Sequence, residues 1–125
     1  MSAVSAVSAV SAVSAERVDS GARGELGVTR SDAAAQALVD AGVRVCAFVP
    51  GYGGTEVFDA LSQRAGAPPL TISFHEEVAY GLCHGASLGG VRAACLIKSH
   101  GLAKAANAVL SSLSAGARGG LVALV

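Results

Sequence analysis

Three stretches of this chain, VRVCAFV at 43–49, VRAACLI at 91–97 and GLVALV at 120–125, are apolar along nearly their whole length. A strand with one face in water alternates apolar and polar residues. Continuous runs rich in branched side chains need cover on both faces, as in a parallel sheet between layers of helices. A shorter strand is predicted at 70–74, and helix-forming segments lie between the strands at 33–41, 55–64, 75–88 and 102–113. Thr29 and Asp32 are spaced as a helix cap, Thr55 is a candidate cap for the second helix, and Gly42 and Gly89 mark helix ends. The resulting αβαβαβαβ order predicts an α/β fold, a three-layer domain with a parallel sheet flanked by helices on both faces.

The foldable part is expected at 28–125. Residues 1–27 form a low-complexity tail built largely from repeated Ser-Ala-Val, expected to be disordered. A buried strand at 120–125 with no turn after it fits a cut from a longer protein as well as a complete domain. Nine basic and nine acidic residues cancel, and no basic block gathers them, which argues against a nucleic-acid surface. No apolar run reaches the length of a membrane span. Cys46, Cys83 and Cys95 are odd in number and widely spaced, as expected of small core residues in a reduced, cytoplasmic protein.

In an open parallel sheet, ligands gather beyond the carboxyl ends of the strands. That rule selects residues 50–55, 75–77 and 98–101. The loop PGYGG lacks the glycine spacing of a dinucleotide loop and the Gly-Lys-Ser/Thr of a phosphate loop, which leaves a plain turn or a loop closing over a ligand. His75, His84, His100, Glu76 and Glu77 lack the i, i+4 histidine pair of a helical zinc site. No Gly-x-Ser-x-Gly elbow is present. Glu77, Gly81, Gly85 and Gly89 recur every fourth residue, so they share one helix side. Such a side packs closely either on the domain's own sheet, the more ordinary reading, or on another subunit. Glu76 stands where a strand turns into a helix. A first-turn carboxylate is ordinarily there for the helix dipole, worth about 0.3–1 kcal/mol. Burial can raise a carboxyl pKa by up to about 3–5 units, at roughly 1.4 kcal/mol each, so a dry Glu76 would be suited to proton transfer.

The segments AGVRVCAFVPGYGGTEVFDAL, SFHEEVAYGLCHGASLGGVRAACLI and KSHGLAKAANAVLSSLSAGARGGLVALV, in that order, resemble the pyrimidine-binding domain of thiamine-diphosphate-dependent 2-oxoacid enzymes. The first two are similar to the acetolactate-synthase and 2-oxoacid-decarboxylase group. The third, with its glycine spacing and GARGGLVALV ending, is closer to the alpha chain of indolepyruvate:ferredoxin oxidoreductase and the alpha part of sulfopyruvate decarboxylase. The resemblance implies that Glu76 contacts N1′ of the cofactor's aminopyrimidine, favouring the imino tautomer that removes the thiazolium C2 proton. It also implies that Pro50, Gly51 and Gly53 border the cofactor, and that Tyr52, Gly54, Thr55, Lys98, Ser99 and His100 face a 2-oxoacid substrate. Neither the Gly-Asp-Gly stretch that holds Mg2+ and diphosphate nor a cysteine set for an iron–sulfur cluster is present. The implied Mg2+ therefore belongs to a different domain or chain, reached as a homodimer or heteromer. The expected function is decarboxylation or carboligation of a 2-oxoacid. The alternatives are a 2-oxoacid:ferredoxin oxidoreductase alpha-type component and a non-catalytic partner that retains the domain.

Overall fold

The computed structural model describes residues 27–125; the expectation for the Ser-Ala-Val tail lies outside them. Five helices and four strands follow one another as α1 (Arg30–Asp40), β1 (Val45–Phe48), α2 (Gly54–Ser62), β2 (Leu70–Ile72), α3 (Glu76–Leu88), β3 (Ala93–Leu96), α4 (Ser99–Lys104), α5 (Ala106–Ala115) and β4 (Leu121–Leu124). The sheet order is β2-β1-β3-β4 with every pair parallel. Leu70, Cys46, Ala94 and Val122 lie in register across it.

Strand periodicity divides the core into two. Cys46, Phe48, Ala94 and Leu96 pack with Ala35 and Leu38 of α1 and Val57 and Leu61 of α2. Ala47, Val49, Ala93, Cys95 and Ile97 point the other way, into Ala79, Tyr80 and Cys83 of α3. Both faces of β1 and β3 are thus covered, which is why their sequences show no polar alternation. β2 is an edge strand with Thr71 and Ile72 exposed, shorter than the predicted 70–74. Among the described residues, no helix is long and apolar enough to cross a membrane.

The start of α1 is a capping box. Thr29 Oγ1 accepts from the Asp32 backbone N–H at 3.0 Å, and the Asp32 carboxylate accepts from the Thr29 N–H at 3.0 Å. Hydrogen bonds from the Thr29 hydroxyl and backbone, with Arg64 nearby, hold the Asp32 carboxyl below its usual range.

Three local expectations change. The cap of α2 is Gly53, not Thr55: its φ of 84° is a left-handed conformation suited to glycine. Thr55 lies inside the first turn, where its hydroxyl donates to the Gly51 carbonyl at 2.9 Å. The helix expected at 102–113 starts earlier and bends at the buried Ala105 into α4 and α5, both of which meet α3. Ala105 stays bonded on both sides of the bend: its N–H donates to Gly101 and its carbonyl accepts from Val109 N–H, each at 2.9 Å. Finally, the Glu77, Gly81, Gly85, Gly89 side of α3 does not pack on the domain's own sheet. All four are exposed, and a Cβ at Gly81 or Gly85 would meet nothing within 4 Å. Ala79, Tyr80, Cys83 and Ser87 form the buried side instead.

Candidate functional site

Backbone hydrogen bonds align the carboxyl ends of the strands. Ser73 N–H donates to Phe48 O at 2.9 Å, Val49 N–H to Leu96 O at 3.0 Å and Ile97 N–H to Leu124 O at 3.0 Å. Just beyond them, the three segments selected from the sequence leave the sheet. The first and third touch: a Cβ on Gly51 would stand 3.2 Å from Cδ of Lys98, so the Lys98 stem crosses that glycine.

The second segment is held by Ser73. Its Oγ donates to the His75 carbonyl at 3.0 Å and accepts from the His75 N–H at 3.2 Å. His75 is extended, with φ −126° and ψ 121°, and Glu76 opens α3. The Glu76 side chain is only 12% exposed. It lies against α4, where Gly101 is buried; a Cβ on Gly101 would be 2.8 Å from Glu76 Cγ and 3.2 Å from Oε1. One turn further along α4, Lys104 Nζ is 3.9 Å from Glu76 Oε1, though the lysine is 70% exposed.

The structure therefore brings Gly51 to Lys98, and Glu76 to Gly101 and Lys104. Pro50, Gly53, Thr55, Ser99 and His100 are exposed, Tyr52 is 86% exposed, and Gly54 is half-buried beside the Phe48 ring. Lys104 is the participant that sequence reasoning missed, and Gly101, inside the selected 98–101 segment, was given no role there. The available signal was a glycine directly after His100 in a segment otherwise suited to helix. A cavity of about 690 Å³ lies elsewhere, lined by α1 residues including Asp32 and Asp40, by Arg64, and by Gly27 and Val28. None of the strand-end residues lines it.

This donor set fits one half of the expected cofactor. A largely buried carboxylate suits a ring nitrogen that carries or shares a proton. Among the described residues, no group of three or more His, Cys, Asp or Glu side chains converges to hold a metal ion. The Mg2+–diphosphate half has no corresponding set among the described residues.

No family model matches the chain. It is 35% identical over 98 residues to the indolepyruvate oxidoreductase subunit IorA of Archaeoglobus fulgidus, a match covering 74% of this chain and 16% of that one. It is 30% identical over 109 residues to the IorA subunit of Methanothermobacter marburgensis, covering 86% of this chain and 18% of the relative. The chain is IorA-like. The matches are to indolepyruvate oxidoreductase subunits, and not to the acetolactate-synthase group in particular. That corrects the likeness of the first two segments to the acetolactate-synthase and 2-oxoacid-decarboxylase group. The IorA-like chain spans less than a fifth of the length of these relatives.

Proposed function

We propose that this IorA-like chain supplies the pyrimidine-holding half-site of a thiamine-diphosphate-dependent 2-oxoacid oxidoreductase. The observation that carries the reading is Glu76, a carboxylate largely withdrawn from water at the carboxyl ends of the strands. Its role is to hold a proton at N1′ of the aminopyrimidine. Ser73, through its two bonds to His75, fixes the backbone from which Glu76 projects. Gly53 leaves open space on the first loop, and Lys98, whose stem fills the space over Gly51, offers a positive charge to a substrate carboxylate. Ser99, His100, Tyr52 and Thr55 are surface groups available to the substrate side chain. When bound, the cofactor would take up the 2-oxoacid carbonyl and accept the electrons left as carbon dioxide departs. The names of the relatives favour an aryl 2-oxoacid such as indolepyruvate.

A second polypeptide or domain completes the site by holding Mg2+ and diphosphate. The surface beside Glu76 suits such a partner. Ile72, Phe74, Val78, Leu82 and Leu88 are exposed on β2, at the entry to α3 and along α3, with Gly81 and Gly85 open between them. The assembled protein is expected in the cytoplasm.

To test the reading, the chain is purified with its completing polypeptide and given thiamine diphosphate, Mg2+, indolepyruvate and a low-potential electron acceptor. Carbon dioxide release that depends on the acceptor supports the oxidoreductase. Release of an aldehyde without the acceptor restores the decarboxylase. Cofactor binding with no turnover of any 2-oxoacid makes the chain a non-catalytic partner.

A further inference from the structure

Gly101 has no conformational reason to be glycine. It lies within α4, and its φ is outside the left-handed region that the glycines at 42, 53, 66 and 116 occupy. Alanine is the better helix former, so a glycine in the body of a helix calls for a spatial cause. The cause here is one side chain. The three nearest atoms to a Cβ built on Gly101 all belong to Glu76: Cγ at 2.8 Å, Oε1 at 3.2 Å and Cδ at 3.5 Å. The first is closer than a Cβ tolerates. Because the Glu76 side chain is largely enclosed, it has to leave its place to relieve the contact.

We infer that Gly101 is a positioning residue for Glu76: the missing side chain on α4 is the space in which the carboxylate is held, and any larger residue there displaces it. Lys104 contributes less. Its ammonium is mostly solvated at 3.9 Å, a separation and exposure at which ion pairs add little. The inference rests on the proposed role of Glu76 for its functional consequence, but the steric claim stands without any cofactor. Neither helix alone specifies the arrangement, since α3 supplies the carboxylate and α4 the vacancy.

The test uses the whole chain, as wild type, Gly101→Ala, Glu76→Ala and the double variant. In cofactor-free protein, the carboxyl carbon of Glu76 is observed by 13C NMR and the melting temperature is recorded. With the completing polypeptide and Mg2+ present, the dissociation constant for thiamine diphosphate is measured on the same set. The expected result for Gly101→Ala is a moved Glu76 signal, an unfolding temperature that does not fall, and at least about tenfold weaker cofactor binding. In the Glu76→Ala background the same substitution is expected to be silent, because nothing remains for the new methyl group to displace. An unmoved Glu76 signal overturns the inference, as does a loss of affinity that persists at full size in the Glu76→Ala background. If the wild type binds no thiamine diphosphate, the proposed function falls, and the Glu76 signal alone decides the positioning claim.

Discussion

Gly119 lies flush against the backbone of Val91: a Cβ on the glycine would run into the N, C and O atoms of that residue. Its N–H also donates to the Ser87 carbonyl at 2.8 Å, beside Arg118 N–H at 3.1 Å, so the turn before β4 seals the end of α3 against the start of β3. Backbone cannot give way as a flexible side chain can. Gly119→Ala is expected to destabilise the domain by at least about 1–3 kcal/mol. Gly51→Ala meets only the Lys98 stem, at 3.2 Å, and is expected to change stability by no more than about 0.5 kcal/mol. Urea unfolding of the two variants checks the contrast; equal midpoints would contradict the close approach at Gly119.

Tyr80 supplies the second prediction. It is buried, and its hydroxyl is 2.9 Å from Ser112 Oγ on α5. Ser112 spends its own proton on the Val109 carbonyl at 2.7 Å, so the tyrosine is the donor of the pair. Tyr80→Phe removes one donor and leaves a serine oxygen with a lone pair unmet, which costs about 1–3 kcal/mol. Tyr80→Ala, which also empties the space between α3 and α5, is expected to cost about 3–5 kcal/mol. A Tyr80→Phe protein with wild-type stability in chemical denaturation would remove this bond from the packing of α3 on α5.

Two of the three buried thiols, Cys46 and Cys95, set an alkaline limit, while Cys83, held below the ordinary thiol range by its hydrogen bond with Cys95, works against it. Burial, with Cys83 adding, pushes the Cys46 thiol up to about 12. The hydrogen bond shared with Cys83, followed by burial, also raises Cys95. Both folded values lie above the unfolded thiol, so the folded chain keeps protons that the unfolded chain releases. The stabilisation is therefore intact below about pH 8.5–9 and declines as pH rises towards the folded values, by up to about 1.4 kcal/mol per pH unit for each thiol. Denaturation midpoints measured between about pH 8 and pH 11 should fall steadily. Cys46→Ala should flatten that decline, and an unchanged wild-type midpoint at the top of the range would contradict it.

The layers of the fold were legible because their causes are local. VRVCAFV and VRAACLI carry no polar alternation, and both strands are indeed covered on two faces. Thr29 and Asp32 announced a cap because the box closes within four residues. What stayed hidden depends on contacts between distant segments. A four-residue glycine period shows which α3 residues share a side, but not whether that side meets the sheet; the competing stripe Ala79, Tyr80, Cys83, Ser87 took the core. LTISF shows no sign that its strand is an edge and ends at Ile72. The place of Glu76 followed from a strand turning into a helix, whereas the space that receives it comes from Gly101 on another helix. That partnership has no local signature.

The most direct measurement on Glu76 is the rate of deuterium exchange at the thiazolium C2 of thiamine diphosphate on the completed, cofactor-saturated protein. Wild type and Glu76→Gln are compared at equal occupancy. Loss of a positioned proton-transfer group is expected to slow exchange by about 10²–10⁴-fold. Exchange in the glutamine variant within about twofold of wild type would take Glu76 out of the proton path.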